Sequence, residues 1–232
     1  MDMKLNLFIV GAAKCGTTFL NNLLRRHPKI QGIRGELHYF DLHYDDKLYI
    51  SRSFKMDRQY KIFLDSSPFY AIHEKVPQRI YSYNEASKII FCVRNREERI
   101  LSHINMERER EIEKRGIKRI IDAELRSIDE VVVKYNRRLY VKRSLYYPQL
   151  KRFVDLFGRE RVFVFNLDNH RLSDLYNFIG VEELDCDLDT IFKRKGVPKK
   201  PTEIEFLKNN KSLQRLIDRD KDLLKDNYNL VI

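Results

Sequence analysis

Cysteine is scarce: Cys15, Cys92 and Cys186 are the only three in 232 residues, and they stand far apart. With no C-x-x-C pair, finger-type metal sites and dithiol redox chemistry are excluded. An odd, sparse count argues for a reducing compartment rather than a disulfide-stapled secreted scaffold. No apolar run approaches the roughly 20 residues that a membrane-spanning helix needs, so no membrane span is expected. The stretch after Lys4 is too short for a signal peptide's apolar region plus a cleavage site, and a mature cytoplasmic protein is expected. Internal repeats and low-complexity tracts are also missing. No group of potential ligands is clustered as a metal site would need, so no metal is expected.

What is present is a globular composition, 43% hydrophobic and 34% charged. The length suits one domain, 1–232, with 203–232 as a C-terminal helical segment. The formal net charge of +11 points to anionic partners: nucleic acid, membrane phosphate, a nucleotide, or a sulfated or phosphorylated substrate.

Short apolar runs predict buried strands at Leu5–Val10, Ile62–Leu64, Lys88–Val93 and Arg161–Phe165. Helical spacing appears over Thr17–Arg26, Val76–Tyr83, Glu97–Met106, Asp174–Ile179 and Glu203–Lys225, and an amphipathic stretch over Leu139–Phe157. The charge runs, Arg108–Lys118 among them, read as solvated faces. Strands alternating with helices predict an α/β, P-loop-like three-layer fold with a central parallel sheet flanked by helices. Ligands of such sheets bind beyond the carboxyl ends of the strands. Three of the four strands end there in chemically loaded turns, at 11–18, 65–70 and 94–102.

The first turn, Gly11-Ala12-Ala13-Lys14-Cys15-Gly16-Thr17-Thr18, follows a strand and opens a helix. Small residues there let backbone N–H groups converge in front of a helix N-terminus, which makes an anion cradle. The Walker pattern G-x-x-x-x-G-K-[ST] puts Lys directly after the second glycine. Here Thr17 takes that place and the cation sits inside the loop, at Lys14. An ATPase would lose its β/γ-phosphate contact, whereas an internal Lys sits beside a group close to the first phosphate. A plain turn with one solvated Lys is the alternative.

This loop resembles the 5′-phosphosulfate loop of sulfotransferases that use 3′-phosphoadenosine 5′-phosphosulfate (PAPS), whose soluble members carry a P-K-S-G-T-T-type run. Further runs in family order extend the resemblance over residues 7 to about 200. Lys88–Ser102 is similar to the family's 3′-phosphate segment, with its spacing from Arg94 to Ser102. Glu36-Leu37-His38-Tyr39-Phe40-Asp41 is similar to the E-V-H-F-F-D run of heparan sulfate sulfotransferases, and Val76–Asn84 to their V-P-E-R-V-Y-S-M-N. Phe192-Lys193-Arg194-Lys195-Gly196 resembles the R-K-G loop of cytosolic members. There are departures. Asp65-Ser66-Ser67-Pro68 lacks the Lys of the heparan enzymes' E-K-[ST]-P, Arg94-Asn95-Arg96 replaces their R-D-P, and Cys186 stands without a disulfide partner nearby.

The resemblance implies sulfuryl transfer from PAPS, as cosubstrate, to a hydroxyl or amine of a carbohydrate or small-molecule acceptor. Ala13, Lys14, Cys15, Gly16, Thr17 and Thr18 would hold the 5′-phosphosulfate, with Lys14 also catalytic. Arg94 and Ser102 would bind the 3′-phosphate, and Arg194, Lys195 and Gly196 would close over it. A general base must take the acceptor proton, and Glu36 and His38 are the candidates. If 36–40 is extended, both side chains point into one cleft. The resemblance assigns the base to Glu36 and an orienting or proton-sharing role to His38. Two rivals remain: a small-molecule or nucleotide kinase, with Asp65 as its only evident Mg²⁺ carboxylate, and a basic nucleic-acid-binding module. No specific nucleic-acid partner is expected, and the acceptor and the oligomeric state stay open.

Overall fold

The computed structural model describes residues 3–130, 136, 138–169, 171–185 and 200–232. Five strands form one parallel sheet: β1 (Leu7–Gly11), β2 (Ile30–Gly32), β3 (Ile62–Ser66), β4 (Lys88–Val93) and β5 (Val162–Asn166), in the order β2-β3-β1-β4-β5. Each continuous apolar run becomes a strand because helices cover the sheet, so side chains of both directions lose water. All five residues of β1 are buried. Register is fixed on either side of β1, with Phe8 opposite Asp65 of β3 and Ile89 of β4. From β1 the chain goes to one side of the sheet, and from β3 it crosses to the other. The carboxyl ends of β1, β3 and β4 therefore border the crevice where ligands of such sheets bind.

The helices are α1 (Thr17–Leu24), α2 (Tyr39–Leu42), α3 (Tyr49–Ser53), α4 (Val76–Tyr83), α5 (Arg96–Glu109), α6 (Ile117–Leu125), α7 (Tyr146–Phe157), α8 (Leu172–Ile179), α9 (Pro201–Asn209) and α10 (Lys211–Tyr228). The main core surrounds the sheet, and a second core joins α5, α6, α9 and α10 through Ile104, Ile121, Leu207, Leu213 and Ile217.

Several boundaries differ from the sequence reading. β2 went unnoticed because three residues, Ile30-Gln31-Gly32, give no periodicity. The amphipathic stretch 139–157 becomes helical at Tyr146, after one 3-10 turn at Lys142–Ser144. The terminal helix is two helices, and the Asn210 side chain caps the second by accepting from the Leu213 N–H at 3.0 Å. The charge run Arg108–Lys118 is not a solvated face throughout, since Glu113 within it is 3% exposed.

Charged residues also fasten the two cores together. Asp220 of α10 is buried and accepts from Arg96 Nη2 at 2.6 Å. It also accepts from the N–H groups of Tyr146 and Tyr147, at 3.1 and 2.8 Å. Those are the first two residues of α7, so a carboxylate from α10 caps α7 where the helix dipole favours negative charge.

Candidate active site

The phosphate loop joins β1 to α1. Gly11, at φ 142°, lies against the turn after β3: a Cβ there would stand 2.7 Å from Ala71 Cβ and 2.8 Å from the Pro68 oxygen. Gly16, at φ 84°, precedes α1, and a Cβ there would meet Leu167 Cδ1 at 2.6 Å. Gly11 is thus required by space as well as by φ, and Gly16 by φ. The N-cap of α1 is Gly16, which has no side chain to cap the helix, and a helix N-terminus favours an anion. Thr17 is buried there and Thr18 is exposed.

Around this loop cations gather. Lys14 is half-buried, and its Nζ donates to Met106 Sδ at 3.4 Å. Burial, then repulsion from Arg110 and Arg99, push its pKa below the usual lysine range. Arg94, 8% exposed, follows β4. Its Nη1 donates to the Lys14 carbonyl at 3.4 Å, its Nη2 pairs with Glu98, and its Nε is buried without a partner. Arg99 is fully buried on α5, where its Nη1 donates to the Ala13 carbonyl at 3.3 Å and its Nη2 to the Tyr140 carbonyl at 2.7 Å. Among the described residues no carboxylate pairs with Arg99. A buried cation without a counter-charge is costly, and an anion seated in the loop would offset that cost. The orphaned Arg94 Nε and the N-terminus of α1, where Gly16 offers no side-chain cap, therefore fit a phosphate-bearing ligand. Ser102 sits half-exposed on α5, one turn before Met106.

Tyr146 locks the loop to β4. Its hydroxyl donates to the Arg94 carbonyl at 3.0 Å and lies 3.4 Å from Cys15 Sγ. Burial raises the Cys15 pKa to about 11, so this thiol is a packing group and not a nucleophile.

The second half of the site hangs on the turn after β3. Ser67 Oγ accepts from the His38 N–H at 3.1 Å and itself donates to Asp65 at 2.9 Å. Tyr70 OH donates to the other Asp65 oxygen at 2.8 Å. Burial raises the Asp65 pKa to about 6 despite these bonds. Both Asp65 oxygens are thus spent inside the protein, which removes the carboxylate that a kinase reading would use.

Glu36 and His38 do meet, but not as neighbours on an extended strand. His38 adopts φ 54° immediately before α2, which swings its ring back onto Glu36. Its Nε2 lies 2.8 Å from Glu36 Oε2, and its Nδ1 lies 2.8 Å from Asp41 Oδ2. Burial would lower the His38 pKa, but hydrogen bonds to Asp41 and Glu36 outweigh it and raise the value to about 9. The ring is therefore an imidazolium at neutral pH, donating through both nitrogens. Glu36 is 48% exposed while Asp41 is completely covered, so Glu36 forms the solvent-facing end of this chain of charges.

The Arg194-Lys195-Gly196 run lies outside the described residues, as does Cys186. Reading the sequence missed Asp41, Arg99 and Tyr146. Asp41 had a signal, as the last residue of the Glu36–Asp41 run, whereas Arg99 and Tyr146 carried none.

Comparison with known proteins agrees with this architecture. Residues 4–169 match the family described as Sulfotransferase domain. The chain is 30% identical over 174 residues to heparan sulfate glucosamine 3-O-sulfotransferase 5 of Mus musculus, and 32% identical to that of Homo sapiens. Each alignment covers 71% of this chain and 47% of the relative, so the chain spans about half the length of these curated relatives. Among solved structures, a sulfotransferase from Alicyclobacillus acidocaldarius superposes with a TM-score of 0.82 at 24% identity, covering 100% of this chain and 98% of that one. A sulfotransferase domain from the curacin biosynthetic pathway gives 0.56 at 14% identity, covering 97% and 98%. The fold defines an α/β protein with a central five-stranded parallel sheet flanked by helices. The chain belongs to the sulfotransferase domain family.

Proposed function

We propose that this protein is a PAPS-dependent sulfotransferase acting on a hydroxyl or amine of a carbohydrate or small-molecule acceptor. One observation carries the reading: the turn after β3 ties an anion cradle to an exposed carboxylate. Pro68 and Ala71 abut Gly11 of the phosphate loop, and Ser67 holds His38 beside Glu36. A donor phosphosulfate in the cradle and an acceptor beside Glu36 would share one crevice.

The 5′-phosphosulfate would be held by the backbone of 13–18 and the hydroxyls of Thr17 and Thr18, and the 3′-phosphate by Arg94 and Ser102. In the transfer the acceptor oxygen or nitrogen bonds to sulfur while the sulfur–oxygen bond to the 5′-phosphate breaks. Glu36 takes the acceptor proton. The His38 imidazolium fixes the Glu36 carboxylate, and Asp41 keeps that ring charged and oriented. Lys14 meets the negative charge that builds on the departing phosphate oxygen. The sulfotransferase relatives named above support the reaction class, and two of them act on glucosamine of heparan sulfate by name.

Calorimetry with 3′-phosphoadenosine 5′-phosphate (PAP) and AMP tests the donor. PAP should bind more tightly than AMP, and Arg94→Ala should remove most of that preference. Equal affinity for the two nucleotides overturns the assignment of Arg94 and Ser102.

A further inference from the structure

α5 lays one stripe along the phosphate loop. Arg99, His103, Met106 and Arg110 recur at the spacing that puts side chains on one helix face, with Arg110 in the turn just after the helix. The first grips the Ala13 carbonyl, and the third receives the Lys14 ammonium. Arg110, four residues beyond Met106, carries the stripe past Lys14. Its Nη1 donates at 3.2 Å to Glu107 Oε1, and the two side chains are 51% and 1% exposed. Glu107 Oε2 is buried without a partner. A covered carboxylate thus holds a half-exposed arginine in place, while Arg110 Nε and Nη2 make no hydrogen bond among the described residues. Arg110 is also the strongest charged influence on Lys14, ahead of Arg99 and Arg94, with Glu109 as the opposing carboxylate. Across the crevice, the Asp65-Ser66-Ser67-Pro68 turn brings no cation.

We propose that Arg110 binds the sulfonate oxygens of the donor, beside Lys14. The inference rests on the PAPS reading above. A guanidinium presents paired N–H groups that match a tetrahedral oxyanion, and pinning one nitrogen on Glu107 leaves the others without a hydrogen bond among the described residues. Arg110 forms no covalent bond and moves no proton. In a loose, in-line displacement the transferring group gains little negative charge, whereas the leaving oxygen gains much. Arg110 therefore acts on donor affinity, and Lys14 on turnover.

The test is the affinity of PAPS and of PAP for wild type, Arg110→Gln and Arg110→Lys, measured by calorimetry without acceptor. Glutamine keeps a donor over Glu107, so the end of α5 stays folded, and thermal melts check this. Arg110→Gln should lose about tenfold in PAPS affinity, the scale of one charge-assisted contact at a half-exposed site, and leave PAP affinity nearly unchanged. Arg110→Lys should fall between. Equal losses for PAPS and PAP, or no loss for either, overturn the inference while leaving the donor assignment intact. A rise in acceptor KM with both nucleotide affinities preserved also overturns it, by moving Arg110 to the acceptor. A wild type that binds neither nucleotide overturns the PAPS reading itself.

Discussion

Replacing Asp41 by Asn isolates the electrostatics that hold Glu36. The Asp41 side chain is completely covered, with Oδ2 2.8 Å from His38 Nδ1, and its hydrogen bond is the main influence raising the His38 pKa. A rise from 6.5 to about 9 corresponds to about 3 kcal/mol in favour of the imidazolium. The other partner, Glu36, is 48% exposed, and solvent screening brings the effective stabilisation down to about 1–2 kcal/mol. Losing one carboxylate partner lowers such a pKa by roughly one to three units, so His38 in Asp41→Asn should titrate between about 6 and 8. The His38 ring proton followed by NMR against pH reads this directly. Stability gives an independent readout. The folded pKa lies above the unfolded value, so the stabilisation is complete below about pH 6.5 and is lost as pH climbs through about 9. Wild type should lose melting temperature across that window more steeply than the variant. A wild-type His38 that titrates near 6.5, or a variant that titrates where wild type does, refutes the reasoning.

The catalytic roles separate by kinetics. Lys14→Ala should lower kcat by about a hundredfold, because its charge acts on an oxygen that becomes more negative during transfer; a variant that only raises KM removes Lys14 from the chemistry. Glu36→Gln should leave PAP affinity nearly unchanged and lower kcat by roughly a hundred- to ten-thousandfold on a neutral hydroxyl acceptor. His38→Ala should cost less than Glu36→Gln, and the reverse ranking moves the base to His38.

The strands that frame the crevice were legible because burial on both faces writes itself as a continuous apolar run. Lys88–Val93 appears in the structure with the bounds its sequence predicts, and the others shift by a residue or two. The turn from β1 to α1 was legible for the same local reason, since a turn between strand and helix needs its glycines where the backbone demands them. What escaped was set by distant partners. Nothing in the sequence marks Arg96 or Arg99 as buried, yet both are, one against Asp220 and the other against the Ala13 carbonyl. An extended run would turn Glu36 and His38 toward one cleft. A left-handed backbone at His38 makes their contact instead, held by Ser67, which lies 29 residues further along.

The cap that Asp220 places on α7 bears on how much of the chain constitutes one working unit. The family match stops at residue 169, and a fragment cut there would still contain Lys14, Glu36, His38, Arg94 and Ser102. It would lack the carboxylate that neutralises Arg96 and seats the first turn of α7. Tyr146 stands in that turn, and its hydroxyl is the rivet between Cys15 and the Arg94 backbone. The region that the family match delimits is therefore smaller than the region whose side chains seat this turn. Homology draws the outline of the machine, but a carboxylate in the last helix holds its jaws in register.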